Sequence, residues 1–248
     1  MNQNNKIYQK FGATTGQIAV LIDPDVTNKK DSIRSVVEKA EFAQIDYIFV
    51  GGSSVTKGDF EACMQHLKEL TKLPIVIFPG DLHLVSEQAD AVLYLSLLSG
   101  RNPEYLISQH VKTAQDIFAM DIEVIPTGYI LVDGGSPASV ASISQTIPIA
   151  RENFSAIMNT AIAGVLQGKK AIYFEAGSGA KKSIPSAIIK EAKEKLNTII
   201  LVGGGIRSVE QIEVFKNQGA NIVVIGTKIE EDTDFLLDIR GYKNALHS

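Results

Sequence analysis

The segment Tyr173-Phe174-Glu175-Ala176-Gly177-Ser178-Gly179 sets one carboxylate, one phenol and one hydroxyl beside two glycines. Lys170-Ala171-Ile172 precede it, so it reads as a buried strand ending in a glycine turn. A carboxylate at such a strand end can serve as a general base. Tyr173 is two residues earlier and therefore on the same strand face. The plain alternative for Glu175 is a salt bridge to a nearby lysine, because an unpaired buried carboxylate is costly.

Two more glycine-rich strand ends follow, Leu201-Val202-Gly203-Gly204-Gly205-Ile206 and Val224-Ile225-Gly226-Thr227. Gly203-Gly204-Gly205 alone could be a tight turn and nothing more. Together with Ser178 and Gly179, the three loops suit a phosphate held by converging backbone N–H groups. A side chain at Gly204 is expected to block that ligand without disturbing the fold. At the other end of the chain, Leu21-Ile22-Asp23-Pro24-Asp25 closes the first apolar run, and Gly51-Gly52-Ser53-Ser54 closes the second, with Thr56 near. Asp-Pro-Asp is also an ordinary turn. One carboxylate with a few hydroxyls suits a Mg²⁺ that keeps most of its water and meets substrate phosphates. His66, His83, His110 and His247 show no zinc-ligand spacing.

These strand ends need a scaffold that gathers them. Short Ile/Val/Leu runs predict strands at 18–23, 46–50, 74–78, 91–96, 128–132, 170–174, 199–203 and 222–226. Helical spacing of apolar residues fills 29–43, 57–70, 103–118 and 153–167. Asn102 before Pro103 reads as a helix cap, and Ser208 with Gln211 as a capping box. Alternating strands and helices imply parallel strands with crossovers, and eight of them favour a closed (β/α)₈ TIM barrel. Residues 79–90 are too few for a loop, a full helix and a second loop, so the third helix is expected to be missing or shortened. Residues 133–147, rich in glycine and serine, predict an extra loop at the catalytic end.

The chain of 248 residues fits one domain over 1–248, and an apolar fraction of 45% can fill its core. A net charge of −4 offers no electrostatic case for nucleic acid. Cys63 is the single cysteine, which excludes an internal disulfide and suggests a reducing cytoplasm. The polar start lacks the apolar core of a signal peptide, and no run reaches the ~20 apolar residues of a membrane span. A soluble cytoplasmic protein is expected, still free to make transient contact with a membrane surface.

Leu21-Ile22-Asp23-Pro24-Asp25, Val50-Gly51-Gly52-Ser53, Phe78-Pro79-Gly80, Ser99-Gly100-Arg101-Asn102-Pro103, Pro126-Thr127-Gly128-Tyr129, the 173–179 segment, Gly203-Gly204-Gly205-Ile206-Arg207 and Ile225-Gly226-Thr227 occur in one order. In that order they resemble the geranylgeranylglyceryl phosphate synthase family, from about Asp23 to Thr227. The resemblance implies a TIM barrel with an altered third helix. It implies ether formation between the 3-hydroxyl of sn-glycerol 1-phosphate and a prenyl diphosphate, geranylgeranyl diphosphate by the family name, with Mg²⁺ assisting departure of diphosphate. It places the polar substrate at Tyr173, Phe174, Glu175, Ala176, Gly177, Ser178, Gly179, Gly204, Gly205, Gly226 and Thr227, and the metal at Asp23 and Ser53. Pro79-Gly80 and the long 133–147 segment look more like the family's second, oligomeric group, which implies a homo-oligomer. A bacterial relative uses a heptaprenyl chain, so the family name does not fix the chain length.

Two other readings compete. One is a different phosphate-binding barrel, an isomerase or synthase acting on sugar phosphates. The other is a barrel that binds a phosphorylated metabolite without turning it over. Asp23 and Ser53 weigh against both, because they imply a second anionic site.

Overall fold

The computed structural model describes residues 5–27, 30–52, 57–81 and 83–245. Eight parallel strands close into one barrel in sequence order. They are β1 (Gln17–Ile22), β2 (Tyr47–Val50), β3 (Ile75–Ile77), β4 (Ala91–Leu97), β5 (Glu123–Leu131), β6 (Ala171–Glu175), β7 (Ile199–Gly203) and β8 (Ile222–Ile225). Gln17 of β1 pairs with Ile222 of β8, which closes the ring.

Alternation along each strand sorts the core into two layers, because successive side chains point to opposite faces. Ala19, Phe49, Val76, Leu93, Leu131, Tyr173 and Leu201 pack inside the barrel. Val20, Ile48, Val92, Ile130, Phe174 and Val202 point outward against the helices. One strand departs from expectation. β5 begins at Glu123, five residues before the predicted start, and Pro126 lies inside it opposite Tyr94. Pro126 and Gly128 read as breaks in a sequence, yet both are accommodated within the ladder.

The outer elements are α1 (Lys6–Ala13), α2 (Pro24–Thr27), α3 (Lys30–Phe42), α4 (Lys57–Leu70), α5 (Gln109–Ala119), α6 (Ser139–Ser144), α7 (Phe154–Leu166), α8 (Ser186–Lys195), α9 (Val209–Asn217), α10 (Thr227–Glu231) and α11 (Phe235–Ala245). A π-helical turn, Glu104–Ser108, leads into α5. Asn102 Oδ1 accepts from the Glu104 amide at 3.0 Å, so the expected cap is present. Ser208 and Gln211 form the reciprocal capping box at the start of α9. Among the described residues of 79–90 there is no helix, in line with the shortened third unit. The 133–147 segment is not all loop, since it contains α6.

The N-terminal end of the barrel is closed by α1. Phe11 stands edge-on to Tyr47, with centroids 4.9 Å apart. The Ile7 and Tyr8 amides donate to the Glu123 carboxylate, both at 2.8 Å. A negative carboxylate at a helix N-terminus satisfies unpaired donors and suits the helix dipole. With α1 over that end, the cavity lies at the carboxyl ends of the strands, where barrel enzymes hold their chemistry. No helix among the described residues is long and apolar enough to cross a membrane.

Candidate active site

A cavity of about 340 Å³ opens at the carboxyl ends of the strands. Its wall draws on most of the regions singled out above, including Asp23, Gly52, Phe78, Tyr129, Tyr173, Glu175, Gly204 and Thr227, but on no residue of 99–103.

Glu175 lies at the last position of β6 and is only 7% exposed. Its Oε1 accepts from the Gly177 amide at 2.6 Å, and its Oε2 shares the space in front of Gly203 with the Tyr173 hydroxyl. Burial raises its pKa above the ordinary 4.5, while the Tyr173, Gly177 and Ala176 donors pull it partly back. No lysine pairs with it, so the salt-bridge alternative falls away among the described residues. Burial and the Glu175 charge raise the phenols of Tyr129 and Tyr173 well above their usual range, which keeps both protonated and able to donate.

Three loops meet beside this carboxylate. Thr227 Oγ1 accepts from the Gly179 amide at 3.2 Å and lies 3.1 Å from Ser178 Oγ. The β7 loop is pressed against the β6 loop. A Cβ on Gly204 would lie 2.3 Å from Glu175 Oε1 and 2.8 Å from the Gly177 nitrogen, at a φ of +80°. This corrects one expectation, since Gly204 is a packing and conformational requirement and a side chain there would disturb the scaffold itself. Phe174 and Ala176 point into the outer layer, and neither they nor Gly177 line the cavity, so three of the expected substrate contacts are not brought to it. Gly177 commits its amide to Glu175. The cavity wall includes Tyr173, Glu175, Ser178, Gly179, Gly204, Gly205, Gly226 and Thr227.

Across the cavity, Asp23 Oδ1 accepts from the Asp25 amide at 3.0 Å. Its pKa is raised by burial, with the Asp25 amide pulling it partly back and the Asp25 charge adding a little, and Glu230 is raised by burial and by Asp23. A Cβ on Gly52 would fall 2.3 to 2.5 Å from the Asp23 carboxylate, so the glycine keeps the space before it clear. Ser53, Ser54 and Thr56 lie outside the described residues. Among the described residues, no three acidic, histidine or cysteine side chains cluster as a ready-made metal cage.

Several wall residues carried no role in the sequence reading. Arg207 bridges the β7 loop to α10 through Glu231 at 3.0 Å, and Lys228 pairs with Asp232 at 2.9 Å. Both cations follow predicted glycine loops, which was the available signal. Tyr105 and Gln109, from the π turn and α5, line the cavity together with Val140 and Ile143 of α6 and with Leu95 and Leu97, an apolar part of the wall, and the Tyr105 hydroxyl donates to the Ile143 carbonyl at 3.4 Å. The Asn102 side-chain amide donates to the Ser144 carbonyl at 2.8 Å and ties these walls together. No local pattern announces that pairing.

The PcrB family profile matches residues 14–241. Geranylgeranylglyceryl phosphate synthase of Chitinophaga pinensis is 43% identical over 99% of this chain and 97% of its own length. That of Zunongwangia profunda is 45% identical over 86% of this chain and 90% of its own. Among solved structures, (S)-3-O-geranylgeranylglyceryl phosphate synthase of Thermoplasma acidophilum, in complex with its substrate sn-glycerol-1-phosphate, superposes with a TM-score of 0.88. It is 30% identical and covers 97% of this chain and 96% of its own. With a shared barrel, matched length and identities of this size, the chain belongs to the PcrB family, alongside the geranylgeranylglyceryl phosphate synthases.

Proposed function

We propose that the protein is a prenyltransferase that joins the 3-hydroxyl of sn-glycerol 1-phosphate to geranylgeranyl diphosphate and releases diphosphate. One observation carries the reading. A buried carboxylate of raised pKa, Glu175, adjoins a cradle of Ser178, Gly179 and Thr227, in a cavity whose wall is also apolar in part. The relatives' names and the glycerol phosphate bound by the Thermoplasma acidophilum protein agree with it.

In this reading the Ser178 and Thr227 hydroxyls hold the phosphate at the Gly179 turn, and Tyr173 orients the glycerol. Glu175 accepts the proton of the attacking hydroxyl as the C–O bond forms, because an alcohol is too weak an acid to ionise beforehand. Leu95, Leu97, Val140 and Ile143 shelter the prenyl chain from water. Asp23, in the space Gly52 leaves open, fits a Mg²⁺ that shares its remaining ligands with diphosphate, and Ser53 belongs to the same proposal. Bound there, the metal would neutralise the charge of the departing diphosphate. A cytoplasmic homo-oligomer completes the reading. Ile107, Val111 and Phe118 are exposed at helical spacing along one side of the π turn and α5, which suits self-association.

The test is incubation with sn-glycerol 1-phosphate, labelled geranylgeranyl diphosphate and Mg²⁺, followed by butanol extraction. Label in a phosphate-bearing ether supports the proposal. Recovery of prenyl diphosphate or prenyl alcohol alone would remove it.

A further inference from the structure

Phe78 has no part in the phosphate cradle, the Asp23 region or the proton transfer, yet it sits among all three. It follows β3 directly, and its carbonyl packs so tightly on β2 that a Cβ on Gly51 would lie 1.7 Å from the oxygen. That contact fixes where the Phe78 backbone leaves the barrel, beside Gly52 and the Asp23 carboxylate. On its other side the Phe78 ring is 5.2 Å from Tyr173, at 77°, and 5.9 Å from Tyr129. Tyr129 and Tyr173 are themselves 5.4 Å apart at 86°. The two tyrosines are almost wholly buried, whereas Phe78 is half-buried and lines the cavity. All three rings reach the cavity wall, and Phe78 presents the most surface to it.

We infer that Phe78 is a catalytic residue whose π-system stabilises the positive charge developing on the allylic carbon of the prenyl diphosphate. The inference rests on the prenyl-transfer reading and deepens it. In that step the bond from the first prenyl carbon to the diphosphate oxygen breaks, and its electron pair leaves with diphosphate. The glycerol oxygen forms the new bond to the same carbon, and its proton passes to Glu175. The carbon undergoing substitution lies between leaving group and nucleophile, hence between the Asp23 side and the Glu175 side. Phe78 lines the cavity with both, its backbone against Gly51 and its ring against Tyr173. Electron density above an aromatic ring attracts a cation, and the attraction strengthens where water is excluded. It acts only while the charge exists, so it lowers the barrier without tightening the ground state. Tyr173 braces the ring edge-on and Tyr129 meets it at a tilt of 46°, and together they fix its attitude.

Fluorination tests this, because it drains the ring's electron density with little change of shape. The full-length protein is prepared with phenylalanine, mono-, di- or trifluorophenylalanine at position 78. Single-turnover rates are measured beside affinity for an unreactive thio-diphosphate analogue of the prenyl substrate. The expected result is a rate that falls stepwise with each fluorine while analogue affinity holds. Phe78→Leu should cost about three- to thirtyfold in rate, the range that a cation–π contact converts to. Rates independent of fluorine count, or analogue affinity falling in step with rate, would overturn the assignment. Turnover by the unmodified protein, established first, separates failure of this assignment from failure of the prenyl-transfer reading.

Discussion

The Tyr173 hydroxyl and Glu175 Oε2, two residues apart on one strand, converge on Gly203, where a Cβ would lie 2.1 and 2.8 Å from them. Period-two alternation aims both side chains into the barrel, and closure of the sheet buries them together. The consequence is a carboxylate that titrates above its ordinary 4.5, next to a phenol that stays protonated. A carboxylate whose proton affinity is raised in this way is better suited to act as a base.

Glu175→Gln should therefore lower kcat by about 10²–10⁴ and change substrate affinity far less. Tyr173→Phe should cost less, since one orienting bond is lost. In the wild type, activity should fall as pH drops through the raised Glu175 pKa, because the protonated acid cannot accept, and the Gln variant should lack that limb. Single-turnover rates across pH, read beside binding affinity, check this.

The same shift has a stability consequence of opposite sign. A carboxyl whose folded pKa exceeds its unfolded value favours the native state when protonated, and that contribution is lost as pH rises through the folded pKa. Tm of wild type relative to Glu175→Gln should thus decline as pH rises from about 4.5. Thermal melts of both proteins over pH 4 to about 8 read the difference.

For the phosphate cradle, Thr227 is the cleaner probe than Gly204. Thr227→Val removes the oxygen joining the β6 and β8 loops, and hydrogen bonds to charged groups are worth about 1.5–3 kcal/mol. Affinity for sn-glycerol 1-phosphate should fall about tenfold or more with Tm little changed. Gly204→Val should instead unfold at lower temperature, because a side chain at that φ and that contact strains the scaffold by at least about 1–3 kcal/mol. Calorimetric titration and melting curves distinguish the two.

Asp23→Asn should lose most activity, with added Mg²⁺ restoring only part, and EDTA should abolish turnover of the wild type. Because one carboxylate leaves most ligand positions to water and diphosphate, Mg²⁺ affinity should be poor until the prenyl diphosphate is bound. Isothermal titration with Mg²⁺, with and without an unreactive diphosphate analogue, measures this directly. Full activity in EDTA would contradict it.

Much of the barrel is legible in the sequence because every strand is an apolar run and most crossovers carry helical spacing. Glu175, Ser178 and Thr227 are legible because they end strands next to glycines. What escapes is long-range. The extended start of β5 is hidden by Pro126 and Gly128, residues that break strands in isolation but are tolerated here by pairing with β4. The seal made by α1 depends on Glu123, more than a hundred residues away. The outward turn of Phe174 is legible from alternation with Tyr173, yet a contiguous motif conceals it. The meeting of Phe78 with Tyr129 and Tyr173 arises only when β3, β5 and β6 are wrapped into one ring.

The central claim is transfer of a prenyl group to one defined enantiomer of glycerol phosphate. A fixed phosphate cradle and a fixed base can aim only one enantiomer's hydroxyl at the prenyl carbon. The most direct measurement is the initial rate of ether formation with sn-glycerol 1-phosphate and with sn-glycerol 3-phosphate, at equal prenyl diphosphate and Mg²⁺. The account predicts product from the 1-phosphate and little or none from the 3-phosphate. Equal rates with the two enantiomers, or no ether from either, would contradict it.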